Sequence, residues 1–194
     1  LYLMRHGETE FNTRRIVQGR CDSPLTAAGR AQAREAGIKL LRDGARIDRV
    51  ASSPIKRAYD SCKLALDVLA EHGEACPKIE VVQDLQERSY GPYEMKPSDS
   101  VPGGVWDPGE NLVACGGEGS DALCRRVVAA CASLFDRLDV RCALAVSHGS
   151  ASMQFDRASS RPAELDGLTR LPNCCILVFD FDESTRVFTL SKIL

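Results

Sequence analysis

Short apolar runs alternate along this chain with stretches in which apolar residues recur every three or four positions. Runs of the first kind predict buried strands, and the spacing of the second kind predicts helices with one apolar face. Strands are predicted at Leu1–Met4, Arg49–Ser53, Lys78–Val82, Cys142–Val146, Cys174–Asp180 and Arg186–Lys192. Helices are predicted from the N-cap Thr26 to Gly44, from Pro54 to Gly73 and over Gly119–Asp139.

The order of these elements predicts an α/β fold. Strands and helices follow one another, which favours a layered domain with a largely parallel sheet. The last two apolar runs indicate that one strand pairs antiparallel. Residues 92–118 contain five Gly and four Pro with little periodicity, which predicts an extended surface loop or lid. We therefore expect residues 1–194 to form a single domain that carries the 92–118 segment as an insertion.

Composition excludes several classes of protein. The chain has 194 residues, of which 44% are hydrophobic and 27% charged, so it is not of the disordered type. A net charge of −2 gives no basic surface, and we expect no nucleic-acid partner. No apolar run is long enough to span a membrane, and the start of the sequence does not show a basic segment followed by the apolar segment of a secretory signal. Because the sequence begins inside an apolar run, we expect a few further residues upstream of Leu1.

Nine cysteines are spread along the chain, and no two of them have C-x-x-C spacing. An odd number without paired spacing favours reduced thiols, and therefore a cytoplasmic protein, over a disulfide framework. The same spacing argues against a zinc site. We expect no bound metal.

Reactive side chains follow several of the predicted strands. Arg5 and His6 come after the first strand, Arg57 after the second, Glu87 after the third and His148 after the fourth. In open α/β sheets, ligands bind beyond the carboxyl ends of the strands. We therefore expect two histidines, two arginines and one carboxylate to converge on one rim of the sheet.

Such a set of side chains suits phosphoryl transfer. The transition state spreads negative charge over three oxygens, so catalysis depends on positioning and on positive charge, which arginine supplies in bidentate geometry. A neutral histidine can attack phosphorus and carry the group covalently. A carboxylic acid can protonate the leaving alcohol and then act as the base for water. Nothing in this scheme requires a metal ion.

The sequence resembles the histidine phosphatase superfamily, the group that includes cofactor-dependent phosphoglycerate mutases. The resemblance extends over most of the chain, and its motifs occur in the family's order. The matching segments are LMRHGETEFN at 3–12, QG at 18–19, DSPLTAAG at 22–29, SSPIKRA at 52–58, LQERSYG at 85–91, SHG at 147–149 and LPNC at 171–174. The resemblance implies a phosphoglycerate mutase-like fold, a three-layer α/β/α sandwich whose mostly parallel sheet has one antiparallel strand.

The resemblance also implies catalytic roles for the five rim residues. His6 would be the nucleophile that accepts the phosphoryl group. Arg5, Arg57 and His148 would form the phosphate pocket with it. Glu87 would be the proton donor.

Five further residues would bind substrate or phosphate by the same resemblance. Asn12 would hydrogen-bond the phosphate or hold His6, and Gln18, Ser23 and Tyr90 would line the substrate side. Gly149 would lie beside the phosphate.

Two other residues are not assigned a role in this scheme. Trp106, in the 92–118 segment, either covers a ligand or anchors the loop, whereas His72 reads as a structural residue at a helix end.

Three functions are consistent with this sequence. A metal-independent phosphomonoester phosphatase that acts on a small phosphorylated metabolite is favoured, because the 92–118 segment is short and Lys96 is its only basic residue. A phosphoglycerate mutase, which would need 2,3-bisphosphoglycerate, is the alternative. A phosphate-binding module without activity is the third. We expect no other cofactor. We expect the activity to have its optimum between about pH 5 and 7. The chain could also form a homodimer, and the sequence leaves this open.

Overall fold

The computed structural model describes residues 1–162 and 169–194. Its strands are β1 (Tyr2–Arg5), β2 (Arg49–Ser52), β3 (Ile79–Val81), β4 (Ala143–Ser147), β5 (Ile176–Asp182) and β6 (Val187–Ile193). Its α-helices in the described ranges are α1 (Glu10–Thr13), α2 (Ala27–Arg42), α3 (Lys56–Glu71), α4 (Ser120–Ser133) and α5 (Gly149–Ala158). Each predicted strand and helix is therefore present, with some changes at the ends.

One six-stranded sheet forms the middle layer, in the order β3-β2-β4-β1-β5-β6. The strands β3, β2, β4 and β1 pair in parallel. β5 runs antiparallel to both of its neighbours, β1 and β6. The predicted α/β fold, mostly parallel with one antiparallel strand, is confirmed. Because β1 and β4 lie side by side at the centre, their carboxyl ends meet at one rim.

Helices cover both faces of the sheet because the side chains of a strand point alternately to its two faces. Leu3 and Ala145 pack in one hydrophobic core with residues of α4 and α5. Met4 and Val146, their neighbours in sequence, pack in a second core with residues of α2 and α3. These strands are nearly continuous apolar runs because both of their faces are buried.

Two predicted helix ends differ from the structure. α3 begins at Lys56 with Ile55 as its N-cap, so Pro54 precedes the helix instead of lying in its first turn. α4 ends at Ser133, and the predicted end at Asp139 is wrong. Beyond Ser133 the backbone N–H groups bond to carbonyl oxygens three residues back, which tightens and ends the helix. Leu138 is 92% exposed, so it does not belong to the apolar face of α4.

The 92–118 segment packs against the body of the protein. It contains short 3₁₀ turns and contributes Val101 and Leu112 to a small hydrophobic cluster with Val17 and Tyr90. Its main chain is also tied to Val17, whose N–H donates to the carbonyl oxygen of Lys96 at 2.8 Å. The segment therefore forms a packed wall beside the rim of the sheet.

The loop that follows β1 lies directly against the start of α2. The side chain of Thr26 caps this helix by accepting a hydrogen bond from the N–H of Gly29 at 2.9 Å. A Cβ atom on Gly29 would lie 2.0 Å from the carbonyl oxygen of Glu8, and one on Gly7 would lie 2.4 Å from that of Gly29. Only glycine allows this approach, which fixes the backbone beside His6.

We expect Gly29→Ala to lower the free energy of unfolding by about 1–3 kcal/mol, because the added methyl group forces the loop and α2 apart. Urea denaturation of the variant and the wild type measures this change. Ala28→Ser, at the exposed neighbouring position, is the matched control and should cost less than about 0.5 kcal/mol. An unchanged stability of Gly29→Ala would contradict the close approach.

Candidate active site

The five residues predicted to carry the chemistry come together at the rim where the parallel strands end. Arg5 is the last residue of β1 and His6 follows it. Arg57 lies in the first turn of α3, and His148 is the N-cap of α5, directly after β4. Glu87 follows the 3₁₀ turn after β3. All five side chains are buried, so the topology of the sheet assembles one compact polar site.

The ring of His6 presents its Nε2 atom to the site. Its Nδ1 atom lies 2.7 Å from the carbonyl oxygen of Gly7, which only accepts, so Nδ1 carries the proton. Nε2 then carries the lone pair of the ring, which accepts a hydrogen bond from Arg57 Nε at 3.3 Å. Burial, together with the charges of Arg57 and Arg5, lowers the pKa of His6 well below 6.5. At neutral pH His6 is therefore an uncharged imidazole that can act as a nucleophile.

The ring of His148 lies beside that of His6, with 5.3 Å between the ring centroids. Its Nε2 atom is 2.8 Å from Ser53 Oγ, whereas its Nδ1 atom is buried without a hydrogen-bond partner in the described part of the chain. Burial, with the nearby charge of Arg57, lowers the pKa of His148 well below 6.5. A buried polar atom without a partner is costly, so Nδ1 is available to bond any group that enters the site deeply enough to reach it.

The two arginines are held mainly by main-chain carbonyl oxygens. Arg57 donates to the carbonyls of Gly19 and Cys21, each at 2.7 Å, and lies 3.6 Å from the half-exposed carboxylate of Asp22. Arg5 donates to the carbonyl of Leu171. Carbonyl oxygens fix the guanidinium groups without neutralising them, so the positive charge remains for a bound anion.

Arg5 has one further feature of a ligand-binding residue. Its Nε atom is buried and has no hydrogen-bond partner among the described residues. Its guanidinium group stacks on the ring of Trp106, 5.1 Å from the ring centroid. Burial lowers the pKa of Arg5 to about 10, so the side chain is still charged at neutral pH.

The carboxylate of Glu87 binds the start of α5. Its Oε1 atom accepts from the N–H groups of Arg88 at 2.8 Å and Ala151 at 3.0 Å, and its Oε2 atom accepts from Ser150 N–H at 3.0 Å. These bonds satisfy two of the free N–H groups at the helix N-terminus. Oε2 accepts only one bond, so it keeps a lone pair that can take up a proton or accept a hydrogen bond from a hydroxyl group or water.

A cavity of about 830 Å³ opens above this cluster. It is lined by four of the five residues of the cluster, since His148 lies behind the surface, and by four predicted substrate-side residues, Asn12, Gln18, Tyr90 and Gly149. Ser23 is absent from the lining. Its hydroxyl accepts the N–H of Phe11 at 3.0 Å, which places it behind α1 as a support for that helix.

Several lining residues were not predicted as site residues. Asn173 donates from Nδ2 to the carbonyl oxygen of His6 at 3.1 Å, and its signal was the LPNC motif that contains it. Trp106 forms part of the wall, and a Cβ atom on Gly149 would lie 2.8 Å from its ring. Arg15 and Arg170 are exposed and line the cavity. No spacing in the sequence links them to the site, since only the fold brings them there.

The described residues contain neither a metal-binding cluster nor a membrane-spanning helix. No group of three or more His, Cys, Asp or Glu side chains within 1–162 and 169–194 is arranged to hold a metal ion. Within the same ranges, the helices are too short or too polar to cross a membrane. All nine cysteines are free thiols.

Two neutral histidines between two charged arginines, at the carboxyl ends of parallel strands, define a site built for a phosphoryl group. The sequence profile of the histidine phosphatase superfamily, branch 1, matches residues 1–193. The chain belongs to this superfamily. The "Probable phosphoglycerate mutase GpmB" of Salmonella paratyphi A is 34% identical over 193 residues, which cover 95% of this chain and 86% of that protein.

Solved structures of the same architecture agree with this membership. The alpha-ribazole phosphatase from Shigella flexneri superposes with a TM-score of 0.73 at 27% identity, over 98% of this chain and 93% of that one. A phosphoglycerate mutase from Bacillus anthracis gives a TM-score of 0.79 at 22% identity, over 98% of this chain and 90% of that one. At that identity the second comparison supports the fold alone.

The buried histidines predict a pH-dependent stability. Unfolding releases both rings from a lowered pKa to the ordinary value of 6.5, so the unfolded chain binds more protons below that pH. The stability contributed by His6 and His148 is complete above about pH 6.5. As the pH falls it is lost, by up to about 1.4 kcal/mol per pH unit for each ring.

Urea denaturation between pH 7.5 and 5, in buffers without phosphate, measures this loss. His148→Asn should reduce the slope of unfolding free energy against pH by about half, because one of the two titrating rings is gone. A stability that stays constant between pH 7 and 5 in the wild type would contradict the buried, neutral state of both rings.

Proposed function

We propose that this protein is a phosphomonoester phosphatase that transfers the phosphoryl group to His6 and then to water, without a metal ion. The observation that carries the proposal is the unprotonated Nε2 atom of His6, which lies near the charges of Arg5 and Arg57 and accepts only the 3.3 Å hydrogen bond from Arg57 Nε among the described residues. Beside it, Arg5 Nε and His148 Nδ1 are buried donors or acceptors without partners in the described residues. These atoms are suited to the oxygens of a phosphoryl group.

In the first step, the Nε2 lone pair attacks phosphorus, and a P–N bond forms as the bond between phosphorus and the alcohol oxygen breaks. The electron pair of the broken bond stays on that oxygen. A protonated Glu87 carboxyl supplies the proton that turns it into a neutral alcohol. Arg5 and Arg57 stabilise the charge that spreads over the three phosphoryl oxygens.

In the second step, water attacks the phosphorus of the phosphohistidine. Glu87, now a carboxylate, takes a proton from the water, and the electron pair of the P–N bond returns to Nε2. Inorganic phosphate leaves and the site is restored. The Nδ1–H bond to Gly7 keeps the ring in one orientation through both steps.

Water is the favoured acceptor of the phosphoryl group, because the 92–118 segment brings no cation into the cavity. The segment contributes Ser98, Val105 and Trp106 to the lining. Its one basic residue, Lys96, lies over the ring of Tyr93 instead, at 5.7 Å from the centroid. The similarity to an alpha-ribazole phosphatase at 27% identity supports the same choice.

Phosphoglycerate mutase activity is the second candidate, and one observation favours it. Arg15 and Arg170 line the mouth of the cavity and no hydrogen bond or ion pair occupies their side chains in the described residues. Two such cations suit a substrate with a second anionic group. The relative named a probable phosphoglycerate mutase, at 34% identity, supports the same alternative.

The setting of this activity follows from the same chemistry. We place the protein in the cytoplasm, where its nine free thiols would stay reduced. Its partner is a small phosphorylated metabolite, and neither nucleic acid nor a membrane is required. Asn12, Gln18 and Tyr90 would contact this metabolite from the cavity wall.

Phosphoryl transfer to His6 is tested by mixing the protein with a ³²P-labelled phosphomonoester and quenching the mixture in alkali, where a phosphohistidine survives. The wild type should carry a label that is lost in acid, whereas His6→Ala should carry none and show no turnover. His72→Gln, at the end of α3, is the matched control and should label normally. Phosphate binding without label or turnover in the wild type would instead identify a binding module.

Phosphorus NMR separates the phosphatase from the mutase. With 3-phosphoglycerate and a trace of 2,3-bisphosphoglycerate, without added metal and with a chelator present, we expect either free phosphate or no change. Rapid formation of 2-phosphoglycerate with little free phosphate would overturn the phosphatase. Arg15→Gln should then lower kcat/KM by about 10-fold, as for the loss of one charged contact, and leave p-nitrophenyl phosphate unaffected.

A further inference from the structure

Arg126 and Glu118 form an ion pair next to the loop that carries Glu87, outside the lining of the cavity. Arg126 of α4 donates from Nη1 to the carbonyl oxygens of Asp84 at 2.7 Å and Gln86 at 2.8 Å, and from Nη2 to that of Glu87 at 3.0 Å. Its Nε and Nη2 atoms also donate to both oxygens of the Glu118 carboxylate, at 2.7 and 2.8 Å. One guanidinium group thus binds three main-chain carbonyls and one carboxylate.

This cluster is built into the fold. The side chains of Arg126 and Glu118 are only 15% and 12% exposed. Burial alone would raise the pKa of Glu118, but the hydrogen bonds and charge of Arg126 outweigh it and hold the pKa below the usual range. Glu118 also bonds to Ser89 twice: its N–H donates to the Ser89 carbonyl oxygen at 2.8 Å, and its Oε2 atom accepts from Ser89 N–H at 3.3 Å. The pair therefore joins α4, the end of the 92–118 segment and the loop at 84–89.

The loop at 84–89 carries Glu87, and hydrogen bonds from two helices hold it in place. α4 holds the main chain on either side of Glu87 through Arg126. α5 holds the carboxylate itself through the N–H groups of Ser150 and Ala151. Arg88 links the same elements, since its side chain donates to Ser150 Oγ at 3.0 Å and to the carbonyl oxygen of Glu118 at 2.9 Å.

We propose that Arg126 is a positioning residue for proton transfer. It fixes the position of the Glu87 carboxyl relative to the site and does not touch the substrate. Arg126 and Glu118 are not among the residues that line the cavity. Without the guanidinium fork, three carbonyl oxygens lose their donor, those of Gln86 and Glu87 in half-buried positions and that of Asp84 in an exposed one. The loop is then free to shift by the fraction of an ångström that proton transfer does not tolerate. The inference rests on the role proposed above for Glu87.

A positioning role for the acid predicts a dependence on the leaving group. p-Nitrophenolate departs as a stable anion and needs little help from an acid, whereas the phenolate of phenyl phosphate gains much more from protonation. The two substrates have nearly the same shape, so their ratio of kcat/KM isolates proton donation from binding. kcat/KM also reports the transfer to His6 alone, before water enters.

Arg126→Met should lower kcat/KM for phenyl phosphate by about 10-fold or more and that for p-nitrophenyl phosphate by less than about 3-fold, as a partial loss of a general acid that is worth about 10²–10⁴. Arg126→Lys keeps the charge but cannot reach all four partners, so it should give a selective loss of intermediate size. Arg125→Met, at the exposed neighbouring position, is the matched control and should change neither value.

The phosphate pocket is monitored separately in each variant. Trp106 is the only tryptophan of the chain and lines the cavity, so its fluorescence reports the binding of inorganic phosphate or vanadate. An affinity within about 2-fold of the wild type in Arg126→Met, together with the selective loss, supports the inference. Equal losses on both substrates, or a pocket that no longer binds vanadate in the Lys variant, would show a merely structural role and overturn it.

Glu87→Gln separates the proposed role of Glu87 as the acid from the proposed role of Arg126 in positioning it. If this variant loses phenyl phosphate selectively and Arg126→Met does not, the role of Arg126 is wrong and that of Glu87 stands. If Glu87→Gln shows no selectivity, Glu87 is not the acid, and the inference about Arg126 fails with it. Labelling of His6 is independent of both outcomes.

Discussion

The structure depends on the burial of two guanidinium groups beside two imidazoles that must stay neutral. A buried charge is normally compensated by a carboxylate, but here Arg5 and Arg57 are held largely by carbonyl oxygens of neighbouring loops. Carbonyl dipoles lower the cost of burial and leave the net charge in place. Burial and then that charge lower the pKa of His6. The same charge would attract the anion that the site binds, so one arrangement serves both purposes.

The N-terminus of α5 connects the remaining parts of the site. Its N-cap is His148, its first residue is Gly149, and the N–H groups that follow bind the Glu87 carboxylate. Gly149 leaves room for the ring of Trp106, which in turn stacks on Arg5. Because a rigid helix end carries these contacts, the acid, the second histidine and the cavity wall keep fixed distances from one another. The bonds of Arg126 extend the same rigidity to the loop behind Glu87.

Most of the fold and the centre of the site could be predicted from the sequence, because both depend on local signals. Apolar runs marked the buried strands, and Thr26 marked the start of α2. The end of α4 could not be predicted, since apolar spacing continues to Leu138 although that side chain points to solvent. Ser23 resembled a site residue because it lies in a matching motif, yet its hydroxyl supports a backbone N–H. Arg15 has no local signal, and only tertiary contacts place it at the cavity.

The distribution of cations bears on the kind of substrate that the site would take. Arg5 and Arg57 are buried at His6, where they would stabilise the transferring group whichever acceptor receives it. Arg15 and Arg170 lie in the exposed mouth, where solvent screens them and where a charge contributes less to binding. Cations in the mouth can select a substrate with a second acidic group, but they do not exclude water from the phosphohistidine. A mutase must also exclude water. The position of these arginines therefore bears on an acidic substrate for either proposed activity, and not on whether water or a second oxygen of the substrate accepts the phosphoryl group.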